Sequence, residues 1–227
     1  MPPFRKRGAF TNGSSKRFRN STRAPARASV TSVPRTYTPR TSALEVKDHI
    51  ADPWNNSTMQ VNGMVANLSR IQIGSSGHQR NGRVVKGKSL TWRMFFIFGG
   101  NALGGASTAS VRVLFFRWDD DREPNEDDVL SNQNSYIVAP YNLDNAFKLR
   151  VLYDKIYPLN TRQAQQGTGN YAPSELTLQG ALTCNWQMAY EKNNEAQDKG
   201  ALYCMVFCSQ SNYASITMAS QLMFTDI

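Results

Sequence analysis

Residues 1–40 carry ten cations, Arg5, Lys6, Arg7, Lys16, Arg17, Arg19, Arg23, Arg27, Arg35 and Arg40, and no Asp or Glu. Guanidinium forks pair bidentately with phosphate oxygens, so eight arginines and two lysines have the chemistry of a polyphosphate ligand. Phe4, Phe10, Phe18 and Tyr37 lie between them, and aromatic faces stack on unpaired bases whatever the base. A second basic group, Arg83, Lys86 and Lys88, follows Arg80 in "QRNGRVVKGK". It either extends the same footprint or forms a solvated hairpin face. An acidic run holds Asp119, Asp120, Asp121, Glu123, Glu126, Asp127 and Asp128. Its hard oxygens suit calcium, with Asp119, Asp120 and Asp121 as the weak candidate ligands. The spacing is not that of an EF-hand loop, and a solvated surface loop is the competing reading.

Catalysis finds little to work with. A metal-dependent nuclease could use Asp119 to Asp121, but catalytic carboxylates converge from separate elements with a His or Lys in support. No Ser/His/Asp, Cys/His or phosphate-loop pattern occurs. The two histidines, His49 and His78, fall near loop signals. Cys184, Cys204 and Cys208 sit in apolar alternation and read as buried small hydrophobes rather than as a disulfide or zinc set. The chain is therefore expected to be no enzyme and to need no cofactor.

The charge count separates an arm from a body. Of 26 Lys+Arg, ten lie in residues 1–40; the remainder holds 26 − 10 = 16 cations against 17 acids, a formal charge of −1. The high isoelectric point thus belongs to the arm. Its apolar residues show neither a 3.6 nor a 2 period, and prolines interrupt any helix. Such a segment cannot bury enough apolar surface to offset the entropy of ordering it, so it is expected to be disordered when free. As a flexible coil it would span about 35 Å root-mean-square. A solubilising tail and a membrane-surface arm are the other readings, but the second would want an amphipathic helix or a lipidation signal. "RKR" and "KR" also read as a bipartite nuclear-import signal. No apolar run approaches the ~18 residues a membrane span needs, so membrane insertion is not expected, and no secretory h-region opens the chain.

The elements that would hold these groups are strands. In 90–98, Leu90, Trp92, Met94, Phe96 and Phe98 fall on one face by alternation. Val111, Val113 and Phe115 repeat the pattern, and in 147–153 Phe147, Leu149, Val151 and Tyr153 point one way while Lys148 and Arg150 point the other. The run 176–190 keeps Leu176, Leu178, Leu182, Cys184, Trp186, Met188 and Tyr190 in phase, as one strand or as two joined by a bulge at Gly180. Further strands are expected within 59–73, over 202–208 and from Ile216 to Phe224. Asn125 can cap a helical turn over 125–130. Seven or eight strands with one covered face each, and no long amphipathic helix, predict an all-β antiparallel two-sheet sandwich. The domain reading is a disordered arm over 1–40, a linker over 41–58 and the sandwich over 59–227.

Three segments carry a resemblance: "IQIGSSGHQRNGRVVKGKSLTWR" (71–93), "VRVLFFRWDDDREPNEDDVL" (111–130) and "APYNLDNAFKLRVLYDKIYPLN" (139–160), with "FTD" (224–226) at the end. In order and spacing they resemble capsid proteins of circular single-stranded DNA viruses that encode a replication initiator, and the similar satellite-necrosis-virus coats. Loops 99–110 and 161–174 match nothing in that pattern. The resemblance implies an eight-stranded jelly roll, self-assembly into a sixty-copy T=1 icosahedral shell, and packaging of single-stranded DNA, with RNA as the alternative cargo. It also implies residence in the virion and, during assembly, in the host nucleus, with host import machinery and a host receptor as further partners. The rival reading is a non-viral, non-enzymatic β-sandwich that binds single-stranded nucleic acid. That module would be expected to carry its binding charge on a folded face, which a body of −1 does not advertise.

Overall fold

Trp92, Met94, Phe96 and Phe98 of one strand and Val111, Val113 and Phe115 of the next bury completely or nearly so against each other. That alternation dictates two sheets face to face. The computed structural model describes residues 45–99, 108–131, 135–160, 162–163, 171–191 and 197–227. Residues 42–227 form one compact unit. The arm, with its ten candidate cations, lies outside the described residues, as do most of loops 99–110 and 161–174.

The strands are β1 (Val46–Thr58), β2 (Met64–Asn67), β3 (Val84–Phe98), β4 (Thr108–Trp118), β5 (Leu149–Asn160), β6 (Arg162–Gln163), β7 (Tyr171–Ala172), β8 (Ser174–Thr183), β9 (Gln187–Tyr190), β10 (Gln197–Lys199), β11 (Ala201–Cys208) and β12 (Ala214–Asp226). The first sheet runs β1-β12-β3-β9-β10, with β8 on the same edge of β3 as β9. The second runs β2-β11-β4-β5, and every pairing in both sheets is antiparallel. The chain changes sheet between β1 and β2, β2 and β3, β3 and β4, β5 and β8, β10 and β11, and β11 and β12. The all-β antiparallel expectation is met.

The second sheet is buried on both faces. Leu202, Cys204 and Val206 face the first sheet, while Tyr203, Met205 and Phe207 face a second apolar cluster with Leu114, Phe116 and Trp118. The cover comes from the connection between β4 and β5. There Val129, Leu130, Ile137 and Ala139 lie on the outer face of the sheet. Asn125 caps the single turn α1 (Glu126–Val129) as expected, accepting from the Asp128 amide at 2.9 Å while Asp128 accepts from the Asn125 amide at 3.0 Å.

Four sequence expectations need correction. Residues 46–58, assigned to a linker, are β1. It hides from pattern reading because it holds Asp48, Asp52, Pro53 and two asparagines and has irregular register at Ala51/Trp54 and Trp54/Ser57. As an edge strand paired only to β12, it needs few apolar residues, and Pro53 costs it no ladder bond it must make. Within 59–73 only Met64–Asn67 is a strand. Phe147 precedes β5 and is 79% exposed. In β5 a bulge opposite Phe115/Phe116 changes the phase, so Leu149 and Val151 pack on the outer cluster while Tyr153 and Tyr157 pack on the inner one.

The fourth concerns Gly180. β8 runs through it in unbroken register with β3, opposite Trp92. The interruption falls at Cys184–Trp186, where the Cys184 amide donates to the Lys88 carbonyl and the Gly87 amide to that of Trp186. Gly180 is small because Trp92 occupies its inner side: a Cβ there would sit 2.7 Å from Trp92 Cζ2. The indole is itself held by Phe115 and Tyr153, with ring centroids 5.0 and 5.5 Å away. Gly180→Ala is expected to destabilise by about 1–3 kcal/mol, the usual cost of overpacking. The urea midpoint, followed by tryptophan fluorescence, reads it directly, and an unchanged or higher midpoint would show that the indole yields.

Candidate nucleic-acid interface

The loop from Ser69 to Arg83 sets the position of the basic group. Arg80 is fully buried and donates from Nε to the Ile71 carbonyl at 3.1 Å and from Nη1 to the Gly82 carbonyl at 2.5 Å. Its guanidinium stacks over the Tyr190 ring, 4.3 Å from the centroid. Arg80 is thus the pin of this loop, and its charge is not presented to a ligand.

Its neighbours behave differently. Arg83 is exposed and donates from Nε to the Tyr190 carbonyl at 3.4 Å. Lys86 is half-buried and Lys88 exposed on β3, on the side opposite Val85 and Gly87, whose inner neighbours include Met188 and Cys184. A bulge between Met223 and Phe224 of β12 leaves Lys88 without a cross-strand partner, so the strand resumes with Ser89, Thr91 and Arg93 on the outer side. Arg93 belongs to this row and was not among the sequence candidates. The signal was present, since Thr91 and Arg93 at odd positions face away from the apolar even ones in 90–98.

Around Arg93 the outer face of the first sheet is mixed, polar at Thr91, Gln179 and Gln221 and apolar at Ile50, Phe95 and Ala219. Gln179 of β8 and Ala219 of β12 flank it in register, and its Nη2 donates to Gln179 Oε1 at 3.3 Å. A shallow depression of about 700 Å³ is lined by Ile50, Thr91, Arg93, Gln179, Ala219 and Gln221, among others.

The acidic run is placed elsewhere and is mostly compensated. Asp119 accepts from Arg117 at 2.6 Å, Asp120 from Lys148 at 2.5 Å and Asp128 from Arg122 at 2.5 Å, while Glu123 pairs with Arg70. The Lys148 hydrogen bond holds the Asp120 carboxyl below its ordinary value. Asp119 and Asp120 are thus each drawn to their own cation, and among the described residues no three His, Cys, Asp or Glu side chains converge on a metal position. The cations nearest Asp119 and Asp120 are the chain's own, which favours the reading of this run as a surface loop. The three cysteines are buried, and burial pushes the Cys184 thiol up to about 12. Unreactive core thiols fit that environment.

No family model matches the sequence, and no curated protein does. Among solved structures, dimeric latent PorU from Porphyromonas gingivalis is similar at a TM-score of 0.36 and 7% identity over 80% of this chain, which spans 13% of that one. The T=1 particles derived from infectious bursal virus give a TM-score of 0.12 and 10% identity, again over 80% of this chain and 40% of theirs. Likenesses this weak carry no argument about what the chain does.

Proposed function

We propose that the chain is a capsid subunit of a small single-stranded DNA virus, an eight-stranded jelly roll that assembles into a sixty-copy T=1 shell and packages its genome through the basic arm. The observation that carries this reading is the segregation of charge, ten cations and no acid in residues 1–40 against a body of −1. A nearly neutral body can pack against copies of itself, and closed symmetry gathers the arms in one place. Sixty arms of ten cations would bring on the order of 600 positive charges together, a quantity suited to a long polyanion. Each arm can bind weakly because the shell makes the contact multivalent. The strand order supports the fold part of the reading. With β8 and β9 taken as one interrupted strand, the two sheets hold β1-β12-β3-β8/β9 and β2-β11-β4-β5, the interleaving expected of two nested Greek keys.

Size-exclusion chromatography with light scattering, read at 260 and 280 nm, tests it. The expected result is a megadalton particle rich in 260 nm absorbance that keeps its shell but loses nucleic acid when residues 1–40 are deleted. A species of about 25–50 kDa that never assembles would instead favour a nucleic-acid-binding β-sandwich module.

A further inference from the structure

We propose that the outer face of the first sheet is a second, sequence-independent site for unpaired nucleic acid, with a phosphate on Arg93, a base in the depression beside it and Lys86 and Lys88 continuing the phosphate track. The proposal rests on the packaging reading above, to which it adds a folded surface.

The first observation is the sorting of ion pairs. Among the described residues, Lys47, Arg70, Arg112, Arg117, Arg122 and Lys148 each meet a carboxylate. Lys86, Lys88 and Arg93 meet none, and whereas Arg83, Arg150, Lys155 and Lys199, which also meet none, are scattered, these three lie along one strand. Seven residues of strand at about 3.3 Å each make that row about 23 Å long, enough for several phosphates. Cations left without carboxylate partners in a row are what a backbone-tracking groove requires.

The second observation is what surrounds them. Nine of the 17 acids fall between Asp119 and Asp154, in the connection that covers the other sheet and in β5. The first sheet's outer side carries Asp48, which is engaged by His78 Nδ1 at 2.9 Å and Gln221 Nε2 at 2.9 Å, the exposed Asp52 in the irregular part of β1 between Ala51 and Trp54, and Glu175, at the far end of β8. The depression beside Arg93 offers hydroxyls and amides, Thr91, Gln179 and Gln221, and an apolar lining of Ile50, Ala219 and the edge of Trp92. Amides and hydroxyls can bond any base edge, and an apolar lining packs against a base without selecting one. The arm of this chain carries the same sign of charge and is therefore disfavoured as the occupant. The acidic cover of a second copy has the right sign, but its carboxylates are largely paired within their own chain.

The test measures anisotropy of a fluorescent oligothymidylate with the full-length chain across a salt series. The triple variant K86Q/K88Q/R93Q is compared with R122Q/R150Q/K155Q, which removes the same charge from the second sheet and the connection that covers it. Losing three phosphate contacts is expected to flatten the log–log salt slope by about 2 and to weaken binding on the order of 100-fold at 0.1 M salt, from about 0.7 per phosphate. The control variant is expected to keep the wild-type slope. Photo-crosslinking of 4-thiothymidine in the same oligonucleotide should map to peptides of β3, β8 or β12. An unchanged slope, an equal loss in both variants, or lost particle formation with unaltered oligonucleotide affinity would each overturn the assignment, the last giving this face to a second copy. All three leave arm-driven packaging standing. That reading fails separately, if the wild-type chain binds no oligonucleotide at all.

Discussion

Raising salt from 50 to 200 mM is expected to weaken binding of the full-length chain to single-stranded DNA by about 10⁴-fold through the arm alone. The figure follows from ten cations on the arm and a slope of about −0.7 per neutralised phosphate, so that a fourfold rise in salt acts through a slope of order −7. The effect is entropic in origin: each phosphate neutralised releases condensed counterion, and added salt opposes the release. It carries no sequence preference, because contacts to phosphate position a chain without reading bases. Fluorescence anisotropy with oligonucleotides of unrelated sequence checks both points. Deleting residues 1–40 should leave a shallow slope near −2, the share assigned to Lys86, Lys88 and Arg93. A full-length slope already that shallow would mean that the arm hardly touches nucleic acid, and the packaging reading would fall with it.

Arg112→Ala is expected to destabilise the body by about 3–5 kcal/mol, as loss of one partner from a buried ion pair does. Arg112 lies on β4, beneath the segment that covers the second sheet. Its Nε and Nη2 donate to the two carboxylate oxygens of Asp154 at 2.9 and 2.6 Å. Nη1 donates to the carbonyls of Tyr136 at 2.9 Å and Ala139 at 2.7 Å, and the Tyr141 hydroxyl donates to Asp154 Oδ2 at 2.5 Å. One side chain therefore fastens 136–141 to β4 and β5, and with it Ile137 and Ala139 of the outer cluster. Its removal leaves a largely buried carboxylate and two backbone carbonyls without their donor. Arg117→Ala, which breaks the more exposed pair with Asp119, should cost under about 1 kcal/mol. Chemical denaturation of the two variants side by side makes the comparison, and equal costs would show that the Arg112 network is dispensable.

The same network sets how stability depends on pH. Burial alone would raise the Asp154 carboxyl, but the hydrogen bonds from Arg112 and Tyr141 and the Arg112 charge outweigh it and leave the group below 3.8. A carboxyl depressed in the folded state contributes stability above its unfolded value, and that contribution is lost as pH falls through the folded one. Burial first, then the Asp154 hydrogen bond, pushes the Tyr141 phenol up from 10.0 to about 12. A raised phenol contributes stability below its unfolded value, lost as pH rises from about 10 towards 12. The clip should therefore weaken below about pH 4 and above about pH 10, and Tyr141→Phe should shrink the alkaline limb of the denaturation profile, to which the raised Tyr153 and Tyr203 phenols also contribute, and shorten the acid limb less, because Asp154 keeps its Arg112 hydrogen bonds.

Particular residues show how far pattern reading reaches. β3, β8, β11 and β12 were legible because each faces the inner cluster with every second side chain over seven or more residues, and strand geometry admits one way of reading that repeat. β1 was not legible, since an edge strand is held mainly by backbone hydrogen bonds that any sequence supplies. The turn of α1 and its Asn125 cap were legible because capping is local. The cover formed by Val129, Leu130, Ile137 and Ala139 has no period, and the expectation of one covered face per strand passed over the unbroken apolar run from Ala201 to Cys208, which is the mark of a strand covered on both faces.

Charge divides in the same way. That residues 1–40 are a polycation and the remainder nearly neutral is a sum over residue types, so the sequence alone determined it, whatever the fold. Which cations are already neutralised is a matter of which carboxylates come within about 3 Å, and only the tertiary structure decided that. Arg80 and Arg83 stand three residues apart and look alike in sequence; one is sealed beneath Tyr190 and bonded to carbonyls, the other is exposed. Asp119 and Asp120 looked like shared ligands for one ion, but Arg117, two residues earlier, takes Asp119, and Lys148, brought in by the turn before β5, takes Asp120. Arg93 looked like an incidental polar residue until β8 and β12 set Gln179 and Ala219 on either side of it. Coulomb attraction falls off with distance in space, and distance along the chain does not report it.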